Sequence, residues 1–352
     1  MNPYYSLAYC FIYLNLILAG NCSGSGVSDP DITTRELRQH IEYLASPELK
    51  GRYPGTPGDS LAAEYIKYQF INSGLDPGSE NGFQYFTVIS ENGRSVLADD
   101  KVSPQAQPEV SRSGELHVND PGAGADRNMI RTMNVIAGLR GNDPVFRDEY
   151  IIIGAHYDHL GAGKIPDVGQ SNGNNHIYYG ADDNASGVAV MLELAEKLSS
   201  NRKLLRRSYL FIAFGAEEKG LLGSRYFTMN PAVDLSSVKT MINLDMVGRK
   251  NEDKVLSIGG LEASGEGEKI IKPVAGQYDF SVVFMPRGAG FSSDHVPFYL
   301  KDIPAFFLTT GIHPDYHTPD DTAEKINYGG LTLISQFVYD LVLKLDQEDQ
   351  IF

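Results

Sequence analysis

The 352-residue chain has no tryptophan, only two cysteines, and fewer basic than acidic residues. Cys10 and Cys22 cannot build a disulfide framework or a thiolate zinc site. Stability must then come from an apolar core, and any metal site must use nitrogen and oxygen ligands. Lys and Arg number 30 against 45 Asp and Glu, a net charge of −15. Nucleic acid and anionic membrane surfaces require a basic face, so this balance excludes both as the main partner. The surplus of carboxylates suits cation binding instead. Membrane-length apolar runs are also scarce. The stretch from residue 7 to 19 is broken by Tyr9, Tyr13 and Asn15 and falls short of the about 20 residues a span needs. There are no internal repeats. What remains is globular in character: 42% hydrophobic and 21% charged residues rule out disorder and fibrous architectures. The chain is long enough for one large domain or two of roughly 150 residues.

Residues 1–22 read as a secretory signal, with Ala19 and Gly20 ahead of the cleavage point, although no Lys or Arg precedes the apolar stretch. A buried N-terminal strand is the alternative. Cys22 stands before Ser23, Gly24, Ser25 and Gly26, a flexible tether, and the junction resembles a bacterial lipoprotein in which that cysteine is lipidated. Asn21 departs from the small residue usual there. The expected organisation is a signal over 1–22, a linker over 23–33 and a single catalytic domain over 34–352, with an irregular insertion near 91–128. Export follows: periplasmic, secreted, or anchored through a lipid on Cys22.

Thr33 and Glu36 have capping-box spacing ahead of a helix that lines up Leu37, Ile41 and Leu44. A second helix carries Leu61, Tyr65 and Ile66 and stops near Gly74. Apolar runs at 150–155, 209–214, 238–244 and 303–308 read as strands buried on both faces of a parallel sheet. A helix with Val188, Met191, Leu192 and Ala195 lies between the first two, and another with Ile334, Phe337, Val338, Leu341, Val342 and Leu345 closes the chain. This alternation predicts an α/β fold: a doubly wound, mixed, mostly parallel sheet with helices on both faces.

Polar residues collect where these strands end, which is where ligands bind in open α/β sheets. His156 and Asp158 follow the first strand. Asp182, Asp183 and Asn184 precede a helix. Glu217 and Glu218 follow the second strand, Asp245 the third, and His317 comes after the last. A lone histidine or a glutamate pair is usually structural or solvated. Several carboxylates directly after apolar strands are another matter, because unpaired charge there is costly and a divalent cation removes the cost. Two histidines with oxygen ligands and no thiolate suit zinc, with cobalt or manganese as substitutes.

These segments resemble the co-catalytic zinc exopeptidases, the family of secreted bacterial leucine aminopeptidases and glutamate carboxypeptidases. The likeness rests on His156-Tyr157-Asp158, the run from Gly180 through Asp183 to Gly187, the run from Ala216 through Glu217 and Glu218 to Gly220, Asn243-Leu244-Asp245-Met246 and the run from His317 to Thr322. It implies two zinc ions bridged by Asp183, one completed by His156 and Asp245, the other by Glu218 and His317. It implies Glu217 as general base towards a water shared by the two ions, and a cis peptide after Asp183. Asp158, two residues from His156 in extended chain, would orient that ring by accepting its second N–H. The implied activity is aminopeptidase release of N-terminal residues from short peptides, with a carboxypeptidase-type preference or a one-zinc glutaminyl-peptide cyclotransferase as alternatives. A non-catalytic binding ectodomain would be expected to have lost ligands that are all present here.

Other residues leave their roles open. His159, His176 and His313 lie near the motifs, either lining the cleft or serving structure. Arg249 and Arg287 either anchor a substrate carboxylate or face solvent. Some aminopeptidases of this type place a tyrosine hydroxyl where Phe291 stands, leaving Tyr178, Tyr179 and Tyr316 as candidates to replace it. Ser293, Asp294 and His295 are either support for the site or plain loop.

Overall fold

The computed structural model describes residues 31–91, 94–98, 128–163, 176–249, 255–260, 265–286 and 292–351. The expected signal and most of the linker, with Cys10 and Cys22, lie outside the described residues, as do Arg287 and Phe291. The chain enters helix α1 (Thr34–Leu44) through Thr33, whose hydroxyl oxygen accepts the Glu36 N–H at 3.2 Å. The capping box is only half formed. Thr33 donates its own N–H to Glu193 Oε2 at 3.3 Å, across to another helix, rather than to Glu36. Helix α2 (Pro57–Asn72) begins at the Thr56 cap and ends before Gly74, whose φ of 78° closes the turn.

Twelve strands follow one another among the described residues: β1 (Asp76–Pro77), β2 (Phe83–Glu91), β3 (Arg94–Leu97), β4 (Asn128–Leu139), β5 (Tyr150–His156), β6 (Gly161–Ala162), β7 (Ile177–Tyr178), β8 (Ser208–Phe214), β9 (Val238–Leu244), β10 (Val255–Gly260), β11 (Ser281–Phe284) and β12 (Ala305–Thr309). All but β6 and β7, which pair with each other, belong to one sheet in the order β11-β10-β12-β9-β5-β8-β4-β2-β3, with β1 on β4. Its central block, β12-β9-β5-β8, is parallel, as the apolar runs predict. The margin formed by β4, β2 and β3 is antiparallel.

Alternation along the central strands divides the core in two. Ile151, Ile153 and Ala155 of β5, with Tyr209, Phe211 and Ala213 of β8, pack on one face against α1, α2, helix α3 (Gly187–Ser200) and helix α7 (Tyr328–Gln347). Ile152, Leu210, Ile212 and Phe214 point to the other face, where Phe227 of α4 (Leu222–Met229) and Phe298 of α6 (His295–Tyr299) cover them. Each fully buried side chain of this size contributes about 1.5–3 kcal/mol relative to exposure. Helix α5 (Glu266–Ala275) packs on α7. With helices on both faces, polar groups have one natural place to gather: the carboxyl ends of the parallel strands. Among the described residues, no helix is long and apolar enough to cross a membrane.

Candidate metal centre

The parallel block carries its ligand-type side chains to one end. His156 is the last residue of β5 and Asp245 follows β9, the neighbouring strand, so sheet pairing alone brings them together. Asp183 arrives from the turn before α3, where Asp321 accepts the N–H groups of Asp182 (2.9 Å) and Asp183 (3.0 Å). The Asp183–Asn184 peptide is cis, as the resemblance implies. Glu217 and Glu218 lie in the turn after β8, and His317 on the loop beyond β12 with φ 55°.

These groups form two sets that share one carboxylate. Asp183 Oδ1 lies 3.2 Å from His156 Nε2, which is also 3.4 Å from Asp245 Oδ1. Asp183 Oδ2 lies 3.1 Å from His317 Nε2, which is 3.3 Å from Glu218 Oε2. Zinc bonds of about 2.0–2.1 Å set tetrahedral ligand atoms roughly 3.3–3.4 Å apart, so these separations fit zinc. Asp183 Oδ2 has no hydrogen-bond partner despite the imidazole beside it, the arrangement of atoms that face a common point rather than each other. A buried, unpartnered carboxylate oxygen costs free energy that a cation offsets. The donor set of nitrogen and oxygen around Asp183 therefore fits two zinc ions.

Electrostatics follow the same geometry. Burial would raise the Asp183 carboxyl, but the imidazoles of His156, His159 and His317 hold it well below the usual range. Burial and Asp183 push Glu218 up, yet His159 and His317 bring it down to about 2. Burial lowers His317, and the Asp183 and Glu218 carboxylates outweigh it, raising the ring to about 10. Glu217 goes the other way. Burial, reinforced by Glu218, Asp294 and Asp245, lifts its carboxyl well above the ordinary value against the pull of His156.

Asp158 departs from expectation. His156 Nδ1 lies 3.2 Å from the Asp158 backbone carbonyl and 3.9 Å from its carboxylate, so the main chain, not the side chain, takes the second ring nitrogen. The carboxylate is committed elsewhere: it accepts the N–H of Glu217 at 2.9 Å and of Glu218 at 3.3 Å, and so holds the turn that presents both glutamates.

Several residues gain roles that their sequence positions left open. Ser293 donates its hydroxyl to Asp245 Oδ2 at 2.7 Å and is itself held by Asn243 Nδ2 at 2.7 Å, so this segment supports the site. His159 is buried, with Nδ1 at 2.9 Å from Glu218 Oε1. His313 Nε2 stands 3.3 Å from Asp182 Oδ2, while His176 is exposed. Arg249 is half-buried and donates to Asp315 at 2.6 Å. Tyr316, one of the three tyrosines considered above, stacks on His317 with ring centroids 3.8 Å apart.

Residues 134–342 match the model of peptidase family M28, more than half of the chain, and the chain belongs to that family. Aminopeptidase YwaD of Bacillus subtilis (strain 168) is 32% identical over 230 residues, covering 61% of this chain and 46% of that protein. The chain spans between 46% and 66% of the length of the first three curated relatives it matches. Among solved structures, the zinc aminopeptidase BSAP from Bacillus subtilis has a TM-score of 0.61 at 21% identity, covering 89% of this chain and 96% of that one. Porphyromonas gingivalis glutaminyl cyclase has a TM-score of 0.60 at 18% identity, covering 88% and 98%. Both likenesses show the same fold.

Proposed function

We propose that this peptidase is a zinc-dependent aminopeptidase that releases N-terminal residues from short peptides, with His156, Asp183 and Asp245 holding one ion and Asp183, Glu218 and His317 the other. The observation that carries this reading is the pair of donor sets joined by Asp183, whose oxygens each serve one set. Bound zinc supplies Lewis acidity towards a carbonyl and acidifies a nearby water to a pKa of roughly 7. The chain's own groups do the rest. Glu217, held in place through its backbone by Asp158, takes the proton of the attacking water and returns it to the departing amine nitrogen. His156 is kept in one ring orientation by the Asp158 carbonyl, and Asp245 by Ser293. An exported location, with Cys22 as a lipid anchor, accompanies this reading.

The test is a panel of short peptides with free and acetylated N-termini, offered to zinc-loaded protein whose metal content is counted. Cleavage of the free-amine series alone, at two zinc ions per chain, is the expected result. Cleavage from the carboxyl end would reverse the direction assigned here. Pyroglutamate formation from N-terminal glutamine with a single zinc would replace the proposal with a cyclotransferase.

A further inference from the structure

A carboxylate that gives one oxygen to a metal has a second oxygen to satisfy. Asp245 solves this with Ser293: Oδ1 faces His156 while Oδ2 accepts the serine hydroxyl. Glu218 has the same problem in the other donor set. Its Oε2 lies 3.3 Å from His317 Nε2, and its Oε1 lies 2.9 Å from His159 Nδ1. The second distance is the usual length of an N–H···O hydrogen bond and is shorter than the roughly 3.3 Å between two ligands of one zinc. From His159 Nδ1 to Asp183 Oδ2 the separation is 3.8 Å, longer than that edge. His159 therefore fits poorly as a ligand of the ion and well as a hydrogen-bond donor to Glu218.

The surroundings of His159 leave its ring little freedom. Gly180 passes directly against it with φ 57°; a Cβ there would come within 2.6 Å of His159 Cγ and Cδ2. Arg52, wholly buried, donates to the carbonyls of Tyr157 (2.7 Å), Tyr179 (2.8 Å) and Gly180 (2.9 Å), tying together the two chain segments that enclose the ring. The His159 N–H in turn reaches the Arg52 carbonyl at 3.4 Å. His159 Nε2 has no hydrogen-bond partner, so Nδ1 is the ring nitrogen that meets a carboxylate. The His159 and His317 rings meet edge to face, centroids 5.8 Å apart, and address different oxygens of one carboxylate.

We propose that His159 is a positioning residue that donates Nδ1–H to Glu218 Oε1, making Glu218 a one-oxygen ligand of the second zinc through Oε2. This rests on the two-zinc reading above. It makes the two donor sets equivalent in design, with Ser293 holding the spare oxygen of one terminal carboxylate and His159 that of the other.

The test uses the full chain with zinc and with cobalt(II) as a spectroscopic substitute, comparing the native protein with His159→Asn and His159→Phe. Asparagine carries its amide N–H the same number of bonds from the backbone as histidine Nδ1; phenylalanine keeps the ring and loses the donor. Competition against a chromophoric chelator should show two zinc ions in the native chain. In His159→Phe one of them should be held about 10–100-fold more weakly, with the other unchanged. The cobalt absorption of the weakened site should lose intensity as Glu218 becomes free to offer both oxygens. His159→Asn should restore most of the affinity and the spectrum. Should the phenylalanine variant not fold, His159→Leu, which also lacks a donor, takes its place with the same expected loss. Native affinity for both ions in the donor-less variant overturns the proposal. So does an asparagine variant as weak as the phenylalanine one, since the ring nitrogen would then be a ligand itself. A native chain that never takes a second ion overturns the two-zinc reading, and this proposal with it.

Discussion

The two donor sets are built on different kinds of backbone. His156 and Asp245 stand at the ends of β5 and β9, adjacent parallel strands about 4.8 Å apart whose pairing already sets the spacing of the two side chains. Glu218 and His317 stand on turns, the histidine with left-handed backbone and a side chain 30% exposed. Regular hydrogen bonding fixes the backbone of the first set; the backbone of the second needs dedicated supports. Asp158 holds the Glu217–Glu218 turn, Asp321 ties the turn of Asp183 to the segment after His317, and Arg52 joins the loop at 47–52 to both Tyr157 and Gly180. A site at strand ends thus takes half of its precision from the sheet and must obtain the rest from buried polar contacts.

The strongest test of this contrast leaves both sets intact. Glu217→Ala should keep both metals and lose on the order of 10³-fold in turnover, equivalent to about 4 kcal/mol of barrier. Near-normal turnover in a fully metallated variant would remove Glu217 from the chemistry. The support of the turn-borne set comes next. Arg52→Met leaves buried carbonyls of Tyr157, Tyr179 and Gly180 without their donor, and the chain should lose about 3–4 kcal/mol by urea unfolding. A loss below about 1 kcal/mol would mean that the enclosing segments hold together without it.

Acid should act on the strand-borne side. His295 opens α6, stacks on Phe307 of β12, and is lowered by burial to about 4 from an ordinary 6.5. The unfolded chain therefore binds this proton first as pH falls. The contribution is complete above about 6.5 and is lost on the way down to about 4, on the order of 2–3 kcal/mol. Asp294 beside it, raised by burial to about 7, acts in the opposite sense, so the measurement is a difference. Comparing urea midpoints of the native chain and His295→Phe at pH 8 and pH 4.5 should show the variant gaining relative to native in acid. Equal pH dependence in the two proteins would contradict a neutral buried ring. The smallest effect is expected from Ser293→Ala, which frees Asp245 Oδ2 and should weaken one zinc by about tenfold. Titration against a chelator would place that loss, and a loss confined to the other ion would break the pairing of Ser293 with Asp245.

The same contrast governs how much can be read from the sequence. β5, β8 and β9 announce themselves as unbroken apolar runs because both faces are covered. The ligands that follow them are legible for the same reason. The antiparallel margin is not. β4 interrupts its apolar pattern with Thr132 and Asn134, buried polar residues that donate to Asp59 and to the Gly223 carbonyl, so periodicity gives no strand signal there. The role of Asp158 differs from expectation because spacing along an extended chain fixes which face a side chain takes, not which of two acceptors wins. His159 and Ser293 look ordinary in sequence because a hydrogen-bond donor to a ligand carries no motif of its own. The only trace of His159 is its nearness to His156, and that trace is equally compatible with a structural histidine.

One consequence concerns which cation such a centre accepts. Asp245 and Glu218 each have one oxygen already engaged by the protein, and Asp183 divides its two between positions. Each cradle thus presents three protein atoms, one of them an imidazole nitrogen. Calcium surrounds itself with six to eight oxygens and favours carboxylates that offer both of theirs. On the two-zinc reading, abundant calcium would find too few hard donors here, and the occupied oxygens would select against it as much as the histidines do.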